Sequence, residues 1–435
     1  MGNNKPLGYW SVVAIGIGGM VGGGIFAVLG LAVQLARGGT SIAFALAGMV
    51  ALITSYSYAR LSITYPSQGG TVEFLNQAFG SGVFTGGLNV LLWLSYVVML
   101  SLYAYAFGSY GASFFPLSTQ PLWKHIFISG VVIVLTALNI VGSKAVGESE
   151  EWIVGIKVAI LLFFIGAGLW SVKVQQLTPA TWTSPMQLLA GGMIIFLAYE
   201  GFELIANTAE DVKNSINILP RAYYSAVGFV IALYVLVSAV VVGNLPIPNI
   251  IAAKDYALAV GAQPFLGGVG FTLIAIAALL STGSAINATL YGASRISYII
   301  AKDGELPEML ERKIWNRPIE GLFVTSGLTL LIANLFDLSS IAMMGSAGFL
   351  LIFAGVNGAN VRLCAKTESH RWIAVFGVIV CLSALGALIW QRARTSPREL
   401  WLLVIMIGLA FIIETAYRVV TGREIRPLLE RDIED

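Results

Sequence analysis

Charge is scarce in this chain. Asp, Glu, Lys and Arg together make up 11% of 435 residues, against 57% hydrophobic residues and a mean hydropathy of +0.82. Soluble domains carry roughly 25% charged residues, so the shortage excludes an ordinary water-soluble fold and points to a polytopic membrane protein. What charge there is nearly cancels, 25 basic residues against 23 acidic, which leaves no basic field to draw nucleic acid. Cysteine and histidine are rarer still. Cys364 and Cys381 lie far apart in hydrophobic segments, and His125 and His370 sit at segment edges, so neither a disulfide framework nor a clustered metal site is expected. Catalytic signatures are missing too: GxSxG, GxxxxGKS/T, HExxH and a paired Asp/His cluster do not occur, and an enzyme would need one of them or a metal. The stretch "GIGGMVG" fails even GxGxxG, because Val21 stands where the last glycine belongs. No enzyme is expected, and no cofactor is implied.

What the chain has in abundance is long apolar runs. A helix of ~20 residues spans the ~30 Å hydrocarbon core, and about twelve such runs are found, near 9–36, 41–64, 82–115, 124–143, 152–172, 186–208, 220–243, 266–300, 319–336, 339–362, 371–391 and 398–420. The connections are short except 65–81, 244–265 and 301–318, so residues 1–420 read as one membrane domain and 421–435 as a short tail. The head "MGNNKPLGYW" is short and polar and runs straight into the first span; no cleavable signal is expected, nor, without Ser or Thr at position six, a myristoylation signal. Lys and Arg are retained on the cytoplasmic side of short loops. With the N-terminus inside, 17 of the 25 basic residues fall on that face, among them Arg312, Lys313 and Arg317; seven fall outside, and Lys157 lies within the fifth span. Both termini are therefore expected in the cytoplasm of a cell whose cytoplasmic membrane holds the chain.

The most unusual stretch is "GIGGMVGGGIF", with six glycines in its first nine residues. Each costs roughly 1 kcal/mol of helix propensity relative to alanine. One reading is close helix packing, since Gly18/Gly22 and Gly19/Gly23 have GxxxG spacing. The other is a helix broken near Gly22 to Gly24, because unwound chain at membrane depth is tolerated where it lines a cavity or binds something, and the restarting half-helix presents free N–H groups to an anion. Five spans later "IIFLAYEGFELIANTAED" places Gly201 between Glu200 and Glu203 in an otherwise apolar segment. Interrupted spans at corresponding positions of two halves point to a transporter built from inverted repeats, with repeats near 8–172 and 186–362 and peripheral helices near 371–420. A channel would instead line its pore with rings of one charge.

Taken in order, "GIGGMVGGGIF", "YEGFE", "ED-VKN…LPRA" at 210–222 and "YGASRISYIIAKDGELP" at 291–307 resemble the amino acid–polyamine–organocation superfamily over nearly the whole chain, most closely the prokaryotic proton-coupled amino acid permeases of the ApcT kind. The resemblance implies an all-α LeuT-type fold of ten core helices, the first and sixth broken, plus two peripheral ones. It implies a substrate, an amino acid or related amine, moved by alternating access together with a proton. An amino acid or amine exchanger is the alternative, and a nutrient sensor, which would carry a long cytoplasmic tail, is a further one. Carried over by motif position, Gly23 and Gly24 N–H groups receive a carboxylate, Gly22 lets the chain turn, carbonyls near Met20, Leu197 and Glu200 receive the amino group, and Tyr199 belongs to the same site. Ser215 departs from the family where a proline is common. Lys157 is implied as the proton carrier, with Ser281, Thr282 and Ser284 facing it; the plain alternative is a lysine, ~9 Å along the helix past Glu151, that snorkels to the interface. Gly201 is expected to break the sixth span, and Glu203 to bond the N–H groups freed there. Glu200 also departs from the family, which more often has an apolar or small residue at that position. It either satisfies broken backbone or faces the ligand, favouring substrates with an extra donor or sharing in proton coupling.

Overall fold

In the computed structural model, residues 6–141, 144–302, 306 and 319–421 are described. The expected tail and most of the loop at 301–318, with Arg312, Lys313 and Arg317, lie outside them. Among the described residues the regular structure is helical, and β structure is limited to the isolated bridges Leu7 to Val212 and Arg37 to Trp182. Nine helices among the described residues are long and apolar enough to cross a bilayer, and up to eleven spans result if each of two bent pairs is one; a 17-residue apolar helix, Ile319–Leu335, adds to these.

The first bent pair is α1 (Tyr9–Met20) with α2 (Gly24–Ala36), turned by 46°. Then come α3 (Thr40–Thr64), the short α4 (Thr71–Phe79), α5 (Val83–Ala112), α6 (Gln120–Val141) and α7 (Lys144–Gly168). The second pair joins α8 (Pro185–Ile194) to a 3₁₀ segment, Phe196–Asp211, again at 46°. It is followed by α9 (Ser215–Asn244), the short α10 (Ile247–Ala253), α11 (Ala257–Lys302), α12 (Ile319–Leu335), α13 (Leu338–Arg362), α14 (Arg371–Thr395) and α15 (Leu400–Thr421). The expected long connections 65–81 and 244–265 thus hold α4 and α10, and α11 is two helical stretches joined at Gly267, where φ is +63 and ψ −154, beside the expected start of that span near 266.

Helices that are apolar on every side belong in the interior of such a bundle or in lipid, and burial separates the two. In α5, which packs on α6, α11, α13 and α15, 89% of the most apolar stretch is buried, against 22% in the last span at Pro397–Val420. The two bent pairs pack directly on each other and on α9, at the centre of the molecule.

Candidate functional site

Glycine lets a chain turn through positive φ or come close to another chain, and the first break uses the second property. The glycines with positive φ among the described residues are Gly70, Gly80 and Gly267, none of them in the glycine run. Gly23, at the start of α2, has φ −145 and ψ −10. A Cβ at Gly19 would lie 2.7 Å from the carbonyl oxygen of Gly201, and one at Gly201 would lie 2.5 Å from the nitrogen of Met20. The two broken spans therefore cross backbone to backbone at Gly19 and Gly201. A Cβ at Gly24 would come 2.7 Å from Ala198 Cα, and one at Gly23 would strike the Tyr103 ring. The packing and broken-helix readings both hold, for different residues of one run.

The second bend is not where the glycine suggested. The α-helix ends at Ile194, ahead of Gly201, and Gly201 lies inside the 3₁₀ segment. Nothing at Ile195 marks a break in the sequence; Gly201 is spent on the crossing instead.

Backbone opened at membrane depth must find partners, and three hydroxyls from other helices supply them. Ser281 on α11 donates to the carbonyls of Val21, at 2.9 Å, and Gly22. Ser346 on α13 donates to Ile194 O at 2.7 Å and accepts from Leu197 N–H at 3.0 Å. Tyr234 on α9 reaches both breaks, donating to Met20 O at 2.7 Å and to Ala198 O at 3.4 Å. Each break is thereby stitched to a neighbouring helix.

Beside the crossing lies a cavity of about 310 Å³, lined among others by Gly18, Tyr96, Tyr103, Lys157, Glu200 and Ser284. Lys157 is 3% exposed, and its Nζ donates to Gly18 O on α1 at 3.2 Å. It points inward to the broken helix, not outward to the interface. Glu203 differs from the expectation that it bonds freed N–H groups. Its Oε1 accepts from Tyr96 at 2.5 Å, and its Oε2 from Tyr58 at 3.1 Å and Thr71 at 3.0 Å, so hydroxyls from α5, α3 and α4 hold it. Glu200, also buried, is in hydrogen-bonding contact with Glu203.

The cavity thus brings together Lys157, Glu200 and Ser284. Ser281 is engaged at the first break, and Thr282 bonds its own helix at Ala278 O, 2.7 Å away. Met20, Gly22, Gly23, Gly24, Leu197 and Tyr199 are buried and do not line it; Tyr199 donates to Phe44 O at 3.0 Å. Tyr103, which lines the cavity and packs on Gly23, joins the two sets. Sequence reasoning missed Tyr96, Tyr103, Tyr234 and Ser346. A tyrosine or serine within an apolar span is the available signal, and with 16 tyrosines in the chain it selects none of them.

Residues 7–411 match a family model described as amino acid permease. The chain is 38% identical over 424 residues to an uncharacterized protein of Methanocaldococcus jannaschii, covering 97% of each. It is 36% identical over 404 residues to the inner membrane transport protein YbaT of Escherichia coli, covering 92% of this chain and 94% of that one. A methylthioribose transporter of Bacillus subtilis is 25% identical over 436 residues, with 95% and 93% covered.

Proposed function

Because the chain belongs to the amino acid permease family, we propose that it carries an amino acid across the cytoplasmic membrane by alternating access, coupled to a proton that Lys157 takes up and releases. The observation that carries this reading is the cavity beside the crossing of two broken spans, with a buried lysine in its wall bonded to the broken helix itself. A lysine in such a place can couple its charge to the geometry of α1. When protonated, its ammonium holds Gly18 O; when neutral, it binds that carbonyl less strongly, and α1 is freer to move. The substrate carboxylate meets the first N–H groups of α2, where Gly23 caps the helix and no side-chain oxygen competes. Ser284 lines the same wall, and in this reading its hydroxyl belongs to the proton path. In this reading Thr282, whose methyl group flanks Gly23, shapes the carboxylate site rather than the proton path.

The test is uptake into proteoliposomes. A thermal-shift screen of the twenty amino acids finds binders, since a ligand of the folded state raises apparent stability. An inward proton gradient then has to drive accumulation of the binders without sodium. Uptake that needs a counter-substrate inside and ignores the gradient assigns exchange instead. Binding without either flux assigns a sensor.

A further inference from the structure

An amino acid held beside the two breaks needs an acceptor for its amino group, and most of the backbone carbonyls there are already engaged. Gly18 O accepts from Lys157, Met20 O from Tyr234, Val21 O and Gly22 O from Ser281, and Ile194 O from Ser346. The carbonyls of Leu197 and Glu200 lie inside the 3₁₀ segment, whose i to i+3 bonds use them. Each of these oxygens keeps only a second lone pair. Glu203 already accepts from Tyr58, Thr71 and Tyr96 and also meets the Glu200 carboxyl. Among the side chains lining the cavity, Glu200 is the carboxyl; it is 3% exposed and in hydrogen-bonding contact with Glu203. A carboxylate bonds an ammonium more strongly than a carbonyl does.

We propose that the Glu200 carboxyl is the acceptor for the substrate's amino group, so that this site selects for an amine through a side chain and not through unwound backbone alone. The proposal rests on reading the cavity as an amino acid site. Glu200 stands where a charge in hydrocarbon requires a cationic partner; within the protein it meets Glu203, another acid, and a transported amine supplies the cation while bound. Amine-bearing substrates are then favoured over acids of the same shape.

The experiment compares matched probes on the wild type, Glu200→Gln and Glu200→Asp. For each amino acid that stabilises the wild type, affinity is measured by thermal shift against its deaminated and decarboxylated counterparts; for L-leucine these are 4-methylpentanoate and 3-methylbutylamine. The wild type should prefer the amino acid to the deaminated acid by about 100-fold or more, and Glu200→Gln should weaken the amino acid about 10- to 100-fold, the span expected for a charge-assisted bond. Affinity for the deaminated acid should stay unchanged, so the preference collapses. Glu200→Asp keeps a carboxylate one methylene shorter and should fall between; should the Gln variant not fold, the same ratio read on Asp decides. Equal weakening of both probes, no change in either, or a change confined to the pH profile of uptake would each overturn the proposal. Amines that bind while amino acids do not, with the binding lost in Glu200→Gln, would overturn the amino acid reading and leave the amine acceptor standing. No binding of either class overturns both.

Discussion

An ionisable side chain in hydrocarbon is interpretable only once its partners are known, and the charged residues at the centre show how differently one chain can place them. Lys157 was visible in the sequence as a lysine inside a span; whether it snorkels or turns inward depends on α1, which it meets at Gly18 O, and no local pattern encodes that contact. Lys157→Ala should therefore have two effects. It should abolish the extra uptake produced by an imposed pH gradient, leaving transport at the level seen without one. It should also lower stability by about 1–3 kcal/mol, because Gly18 O loses its donor inside the membrane. Uptake that still follows the gradient in the alanine variant would remove Lys157 from the proton path. Glu203 belongs to the scaffold. Tyr58, Thr71 and Tyr96 come from three elements and converge on its carboxylate, a set that sequence spacing cannot reveal because the three positions are brought together only by folding. In Glu203→Gln the amide nitrogen cannot accept, so at least one hydroxyl is left facing a donor. The expected result is a loss of about 1–3 kcal/mol per unsatisfied group, read as a lower melting temperature, with the relative affinities of bound amino acids preserved. A variant as stable as wild type with altered substrate ranking would instead place Glu203 at the ligand.

At the scale of elements, the first break was legible because six glycines crowd into nine residues, and the second was legible in its span but not in its position. The reason is that the glycines answer to close approach: Gly201 faces Gly19 across the crossing, while the bend itself falls at Ile195, where Ser346 takes up the opened carbonyl and N–H. A helix can be opened wherever a neighbour provides the missing bonds, and that neighbour lies on α13, far along the chain. Two substitutions separate these functions. Gly201→Ala inserts a methyl into a backbone contact that cannot yield, and should cost about 1–3 kcal/mol by overpacking with the bends retained. Ser281→Ala adds no bulk and removes the donor to Val21 O and Gly22 O. It should destabilise by about 1–3 kcal/mol and weaken amino acid binding, since the turn before α2 loses its tether. Equal binding by Ser281→Ala and wild type, at matched temperature below both melting points, would show that the first break holds its shape without that hydroxyl.

For the whole molecule, the order of elements runs alike in the two halves. A bent pair, a long helix, a short helix and a second long helix appear as α1/α2, α3, α4, α5 and again as α8 with its 3₁₀ segment, α9, α10, α11. This order supports the inverted-repeat reading, and the distribution of open space supports alternating access. The cavity with Lys157 and Glu200 is lined on α1 by Ala14, Ile15, Gly18 and Gly19, so it lies on the N-terminal side of the first break. A polar cavity of about 650 Å³, lined by Gln34 and Arg37 at the far end of the first span and by Arg392 and Glu399, lies on the other side. Between them the first turns of α2 are buried, and Tyr110 donates to Phe26 O at 3.1 Å. In the alternating-access reading, the first cavity is the open side and the packed first turns of α2 are the closed one. A single cysteine at Ala288, a cavity position half-buried on α11, tests this arrangement once Cys364 and Cys381 are replaced by serine. In sealed vesicles of known orientation, a membrane-impermeant maleimide should modify Ala288→Cys from the face that carries the N-terminus and not from the opposite face. An amino acid that raises the melting temperature should slow that modification by filling the cavity. Labelling from the opposite face alone would reverse the assignment of the open side, and labelling at equal rates from both faces would describe a continuous pore, in which case the alternating-access reading falls.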